Sequence, residues 1–134
     1  MIQAYSLNLA VTGPQQVVFA GSVGRGDTAT LEADRATVAL NVPGIYEVTV
    51  SGYGSSTATG TFGFQLVENG VPVQLAQQSV VAPAGENVPS NFSALIDVKP
   101  APTGSKARLT LNYTGTAGTI ANVSLIVKRV LRYG

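Results

Sequence analysis

Residues 45–53, Ile-Tyr-Glu-Val-Thr-Val-Ser-Gly-Tyr, follow a Val42-Pro43-Gly44 turn signal and alternate almost residue by residue. Tyr46, Val48 and Val50 fall on one face, and Glu47, Thr49 and Ser51 on the other. This is the pattern of a half-buried β-strand. The period of two recurs along the chain, and no stretch repeats its apolar residues at helical spacing. Strands are therefore predicted at 3–10, 16–20, 28–32, 36–41, 45–53, 61–68, 73–82, 90–98, 106–114 and 119–130. Gly, Pro and Asn punctuate them. Asn69-Gly70 is the strongest hairpin signal, because both residues tolerate positive φ. Residues 83–89 and 99–105 read as loops at the sandwich ends. No linker interrupts the series, so residues 1–134 read as one all-β domain: a two-sheet antiparallel jelly-roll sandwich of about ten strands.

The alternation also predicts which faces turn inward. They carry Tyr46, Val48 and Val50; Phe62, Phe64 and Leu66; Phe92, Ala94, Ile96 and Val98; and Leu109, Leu111 and Tyr113. The last strand differs. In Val123-Ser124-Leu125-Ile126-Val127 the apolar character spreads onto both faces, as in a strand covered on both sides. In a sandwich this small, the second cover is expected from a neighbouring subunit.

Composition bears on the same point. A chain of 134 residues can bury a core without metal or disulfide staples. Charged residues make up 11%, against roughly 25% in ordinary soluble domains, while mean hydropathy is +0.25. The polar remainder is Thr, Ser, Asn, Gln and Gly. Weakly charged β-rich faces tend to meet each other, which points to a closed oligomer. A net charge of +1 gives no field to attract nucleic acid or an anionic membrane. Lys128, Arg129 and Arg132 read as a solvated end, and no run approaches a membrane span. With no cysteine, disulfides, thiol catalysis and the common structural zinc sites are excluded. The opening residues lack the basic segment and long apolar core of a secretory signal.

Several segments taken in order resemble a known superfamily. They are VPGIYEVTVSGYG (42–54), GTFGFQLVENGVPV (60–73), SNFSALIDVKPA (90–101) and LTLNYTGTAGTIANVSLIVKRV (109–130). Together they resemble the tumour-necrosis-factor-like and complement-type globular heads, and more closely the bacterial and phage branch, which includes heads of collagen-like spore-surface proteins. The likeness rests on the Pro-Gly-x-Tyr start of a central strand, the Asn-Gly hairpin and the final Ser-Leu-Ile-Val-Lys-Arg-Val strand. It covers residues 42–130; the first forty residues follow only the general strand plan. The layout as a whole is similar to short stand-alone proteins of bacteriophages.

The resemblance implies a ten-stranded jelly roll forming a compact homotrimer, with structural, adhesive or ligand roles and no catalysis. The expected function is a trimeric structural protein, phage-encoded and virion-associated as a capsid decoration or fibre head. The alternative is a trimeric adhesion module for a receptor or glycan on a bacterial or phage surface. Expected partners are further copies of the chain, other virion proteins or a cell-surface ligand. The expected location is a virion or a lysate, otherwise the cytoplasm. No collagen-like Gly-x-y tract is present, so the sequence does not show what the head is attached to.

Residues that could carry chemistry are sparse. Without histidine and without Gly-x-Ser-x-Gly, nucleophilic catalysis lacks its base and its turn. Ser105 and Lys106 are adjacent on a predicted strand and would point to opposite faces. Asp27, Glu32 and Asp34 are the densest acidic group and could in principle hold Ca²⁺ through oxygen ligands. Arg25 and Arg35 lie among them, and the plainer reading is a solvated edge whose charges discourage mispairing. Neither a catalytic residue nor a cofactor is expected. Arg25-Gly26-Asp27 matches the adhesive tripeptide, but Gly-Asp is also simply a turn.

Residues 52–63, Gly-rich but without the Gly-Lys-Ser/Thr of a phosphate loop, read as a mobile loop. The sequons at Asn91, Asn112 and Asn122 lie inside predicted strands and read as incidental. Tyr5, Tyr53 and Tyr133 could line a sugar-binding surface. For Tyr53, burial at a subunit contact is the preferred reading. The predicted trimer interface is Tyr53, Phe62, Val123, Leu125, Val127 and Tyr133.

Overall fold

A computed structural model describes residues 1–26, 28–100 and 107–132. Among these residues eleven strands form: β1 (Ile2–Val11), β2 (Gln15–Gln16), β3 (Gly21–Gly24), β4 (Ala29–Leu31), β5 (Thr37–Leu40), β6 (Gly44–Ser56), β7 (Gly60–Glu68), β8 (Val71–Ala82), β9 (Asn87–Val98), β10 (Ala107–Tyr113) and β11 (Gly118–Arg132). They make two antiparallel sheets in jelly-roll order. One runs β3-β1-β11-β6-β9 and the other β4-β5-β10-β7-β8, with β2 paired to β10. No helix forms among the described residues.

The alternation read from the sequence places the core correctly. Tyr46, Val48, Val50, Phe62, Phe64, Leu66, Ile96, Leu109, Leu111 and Tyr113 are buried between the sheets, and Phe92 and Ala94 pack against them half-buried. Apolar burial on this scale is the main force closing the sandwich, at about 1.5–3 kcal/mol for each large side chain. Asn69 and Gly70 form the two-residue hairpin loop, at φ 51° and 83°. Glu68 pairs with Val71 across it, and the Arg108 N–H donates to Asn69 Oδ1 at 2.9 Å.

Two expectations are corrected. Of residues 16–20 only Gln16 is in a strand, at the end of β2. The chain leaves the six-stranded sheet after β2 and reaches the five-stranded sheet at β3. On the way the Val17 N–H donates to Leu111 O (2.8 Å) and the Phe19 N–H to Arg35 O (2.7 Å), and both side chains are buried. The period of two there belongs to a crossing between layers.

The Gly-rich segment 52–63 is likewise mostly strand, because β6 runs to Ser56 and β7 starts at Gly60. Its glycines make room. Phe62, Phe64 and Tyr113 pack edge to face with ring centroids 5.4, 5.5 and 5.8 Å apart, a geometry the ring quadrupoles favour. A β-carbon at Gly54 would meet Phe62 and the backbone of Thr119 and Ile120.

Candidate assembly surface

The outer face of the five-stranded sheet is built in rows by the strand register. Val23, Gln3, Ile126, Thr49 and Ser93 stand side by side across β3, β1, β11, β6 and β9. The next row is Gly21, Tyr5, Ser124, Ser51 and Asn91, and the one beyond is Leu7, Asn122, Tyr53 and Pro89. None of these residues is charged. Charge returns only past the Thr49 row, where Lys128 Nζ lies 3.5 Å from Glu47 Oε1 and Leu95 pairs with Glu47. Val23, Leu7 and Leu95 are about two-thirds exposed, and Tyr5 and Tyr53 are 37% and 41% exposed. Short polar groups between them are tied together: Ser51 Oγ donates to Asn91 Oδ1 at 3.2 Å.

The predicted interface residues divide. Tyr53 lies on this face. Phe62, Val123, Leu125 and Val127 do not; they are at most 1% exposed and belong to the chain's own core. The correction has a plain cause. β11 is a central strand, flanked by β1 and β6, and the opposite sheet of the same molecule covers its apolar face. On its outer side Asn122, Ser124 and Lys128 alternate with the apolar Ile126, and Val130 and Leu131 are half-exposed near its end. The exposed apolar surface is contributed mainly by neighbouring strands, through Tyr5, Leu7, Val23, Tyr53 and Leu95. A signal for it existed in the first strand, where Tyr5 and Leu7 are out of phase with the buried Ile2 and Ala4. Tyr133 lies outside the described residues.

The acidic group does not converge as a metal site. Asp27 lies outside the described residues, and among the described ones no cluster of three acidic ligands forms. Glu32 Oε1 accepts from Arg108 Nε at 2.8 Å. Asp34 folds back on its own turn: Oδ1 accepts from the N–H groups of Ala36 and Thr37, both at 3.0 Å, and Oδ2 from Thr37 Oγ1 at 2.7 Å. These bonds, led by the one from Ala36, hold its carboxyl below the ordinary value of 3.8. Arg35, inside the same turn, sits at φ 60°. Of the adhesive tripeptide, Arg25 and Gly26 lie on an exposed bend where the Arg25 N–H donates to Met1 O at 2.9 Å.

Tyr46 and Tyr113, read from the sequence as core, are buried between the sheets with their hydroxyls satisfied. Tyr46 donates to Val42 O and Tyr113 to Thr116 O, each at 2.6 Å. Burial pushes both phenols above 10.0.

No protein-family model and no curated protein matches the sequence. Solved structures do match in three dimensions. The globular domain of zebrafish complement 1qA protein superposes with a TM-score of 0.73 at 10% identity, over 98% of each chain. Eiger TNF from S. frugiperda superposes with a TM-score of 0.55 at 16% identity, over 98% of this chain and 92% of the other. The strand order of both sheets, the span of the match and the agreement of two such neighbours lead to one conclusion: this chain has the jelly-roll fold of the complement-type and tumour-necrosis-factor-like globular heads.

Proposed function

We propose that the chain is a non-enzymatic structural protein that works as a homotrimer, with the outer face of the five-stranded sheet as its assembly surface. The observation that carries this reading is the set of three uncharged rows, with Tyr5, Leu7, Val23 and Tyr53 exposed on it. Interface cores are depleted in charge and enriched in aromatic residues, and a patch of this kind on a free surface marks an association site. The fold likeness adds support, because the resemblance read from the sequence implies threefold assembly. The absence of histidine and the engagement of Glu32 and Asp34 by Arg108 and by the local turn favour a passive role.

The proposal extends to a phage-encoded, virion-associated protein, a capsid decoration or fibre head, on the strength of the resemblance to phage proteins read from the sequence. The test is directed substitution. Ile126→Asp should dissociate the assembly, while Thr110→Asp on the other sheet should leave it intact. Equal behaviour of the two variants in sedimentation would refute the assigned face.

A second reading has its own observation. The turn at 57–59 and the segment 83–86 lie together at one end of the sandwich, where the Gly85 N–H donates to Ser56 O and the Thr57 N–H to Ala117 O, both at 2.9 Å. Residues 57–59 and 83–86 are exposed. A glycan- or receptor-binding trimer would present these loops. Glycan-array binding that disappears when residues 57–59 or 83–86 are replaced would favour it, and no binding to any ligand favours the structural role.

A further inference from the structure

Among the described residues β8 is the terminal strand of the six-stranded sheet and pairs with β7 on one side only. Such an edge is a template for adding another strand, and natural proteins protect it with charge, proline, bulges or a cover. Charge is missing here: no Asp, Glu, Lys or Arg occurs from Asn69 to Gly85, while Val71, Val73, Val80 and Val81 favour extended chain. Proline guards the start of the strand, at Pro72, and from Val73 to Ala82 the composition is that of a strand prone to pair with its own kind.

The register of β8 on β7 breaks once. Gln65 pairs with Gln77, but Val67 pairs with Pro72, so Val73, Gln74, Leu75 and Ala76 all stand opposite Leu66. Ala76 is buried as the regular partner of Leu66 would be, so Val73, Gln74 and Leu75 are the inserted residues. Leu75 is at the tip, at φ 64° and 93% exposed. A leucine held in the left-handed region persists only where its surroundings impose it. The imposing group is the Gln65 side chain, whose Nε2 donates to the carbonyls of Leu66, Val73 and Ala76 at 2.7, 3.0 and 3.2 Å. Farther along the strand the edge is covered differently. Ser90 Oγ of β9 donates to Gln78 O at 2.9 Å, and the Asn91 N–H to Gln78 Oε1 at 2.6 Å.

We propose that the Val73–Leu75 bulge, clamped by Gln65, is a guard that stops β8 from accepting a strand of another copy. It breaks the exposed edge into two short lengths, and β9 ties down the second of them at Gln78. The function is protective and separate from the assembly surface on the other sheet.

The experiment compares wild type with three variants by sedimentation velocity, thioflavin-T fluorescence and thermal melting. Removal of Val73, Gln74 and Leu75 straightens the edge. Gln65→Ala removes the clamp while leaving the chain length unchanged. Leu75→Lys keeps the bulge and removes its apolar tip. The expected result is loss of the wild-type sedimentation peak into faster, thioflavin-positive species for the first two, and the wild-type pattern for Leu75→Lys. Should the deletion not melt cooperatively, Gln65→Ala alone decides. The proposal is overturned if a cooperatively melting deletion or Gln65→Ala protein keeps the wild-type sedimentation peak. It is also overturned if Leu75→Lys changes that peak, because Leu75 would then be a contact rather than a spacer.

Discussion

Gly52 lies directly against the ring of Phe64: a β-carbon at position 52 would come within 2.9 Å of Phe64 Cζ and nearer still to Cε2. The glycine on one sheet and the aromatic ring on the other are thus a matched pair, and the edge-to-face cluster of Phe62, Phe64 and Tyr113 depends on that space. Gly52→Ala should destabilise the fold by about 1–3 kcal/mol, the usual effect of overfilling a packed core. Chemical denaturation would measure it. Replacement of exposed Gly26, which has no atom within 4 Å of its added β-carbon, is not subject to this crowding.

Asp34 should make stability depend on pH in the acid range. Its folded-state pKa is lowered by hydrogen bonds from Ala36 and Thr37, so its contribution is present above the unfolded value and lost as pH falls through the folded one. Because the side chain is exposed, the contribution is about 1 kcal/mol or less. Asp34→Ala should therefore be less stable than wild type at neutral pH, and the gap should close as pH drops below 3.8. A gap that stayed constant across that range would contradict the assignment.

Glu68 should show the opposite sign. Burial, and secondarily the charge of Asp97, raise its pKa above 4.5, so ionisation costs folded-state stability as pH rises through that region. Glu68→Gln is expected to melt at a higher temperature than wild type at pH 7, with the advantage gone below the unfolded pKa. Paired melting curves at neutral and acid pH would check it.

Tyr53→Asp and Ile126→Asp should separate assembly from folding. Each places a charge in the middle of the uncharged rows, and an unpaired charge buried at a contact costs about 3–5 kcal/mol. Neither residue belongs to the buried core. The oligomer should dissociate while the far-ultraviolet β-signal is retained. Loss of that signal together with the assembly would mean that the two cannot be separated by this route.

Much of this fold is legible in the sequence, for local reasons. Alternation from Ile45 to Tyr53 and the Asn69-Gly70 turn are properties of short segments, and both are found where they were expected. What the period of two cannot tell is which partner covers a face. Val123, Leu125 and Val127 alternate correctly, yet whether the opposite sheet or another subunit covers them depends on β11 being a central strand, a fact of long-range pairing. Steric glycines mislead in the same way. Gly52 and Gly54 look like loop residues until Phe62 and Phe64 of the opposite sheet are placed above them. The Leu75 bulge leaves no local mark, because the amide that holds it comes from Gln65 on β7.

The proposed closure of a threefold assembly by the outer face of the five-stranded sheet fixes the mass of the protein in solution. Multi-angle light scattering of the purified protein at micromolar concentration tests it most directly. The expected mass is three times 13.7 kDa. A stable, well-folded species at 13.7 kDa itself, with Tyr5, Leu7 and Tyr53 in water, would contradict it.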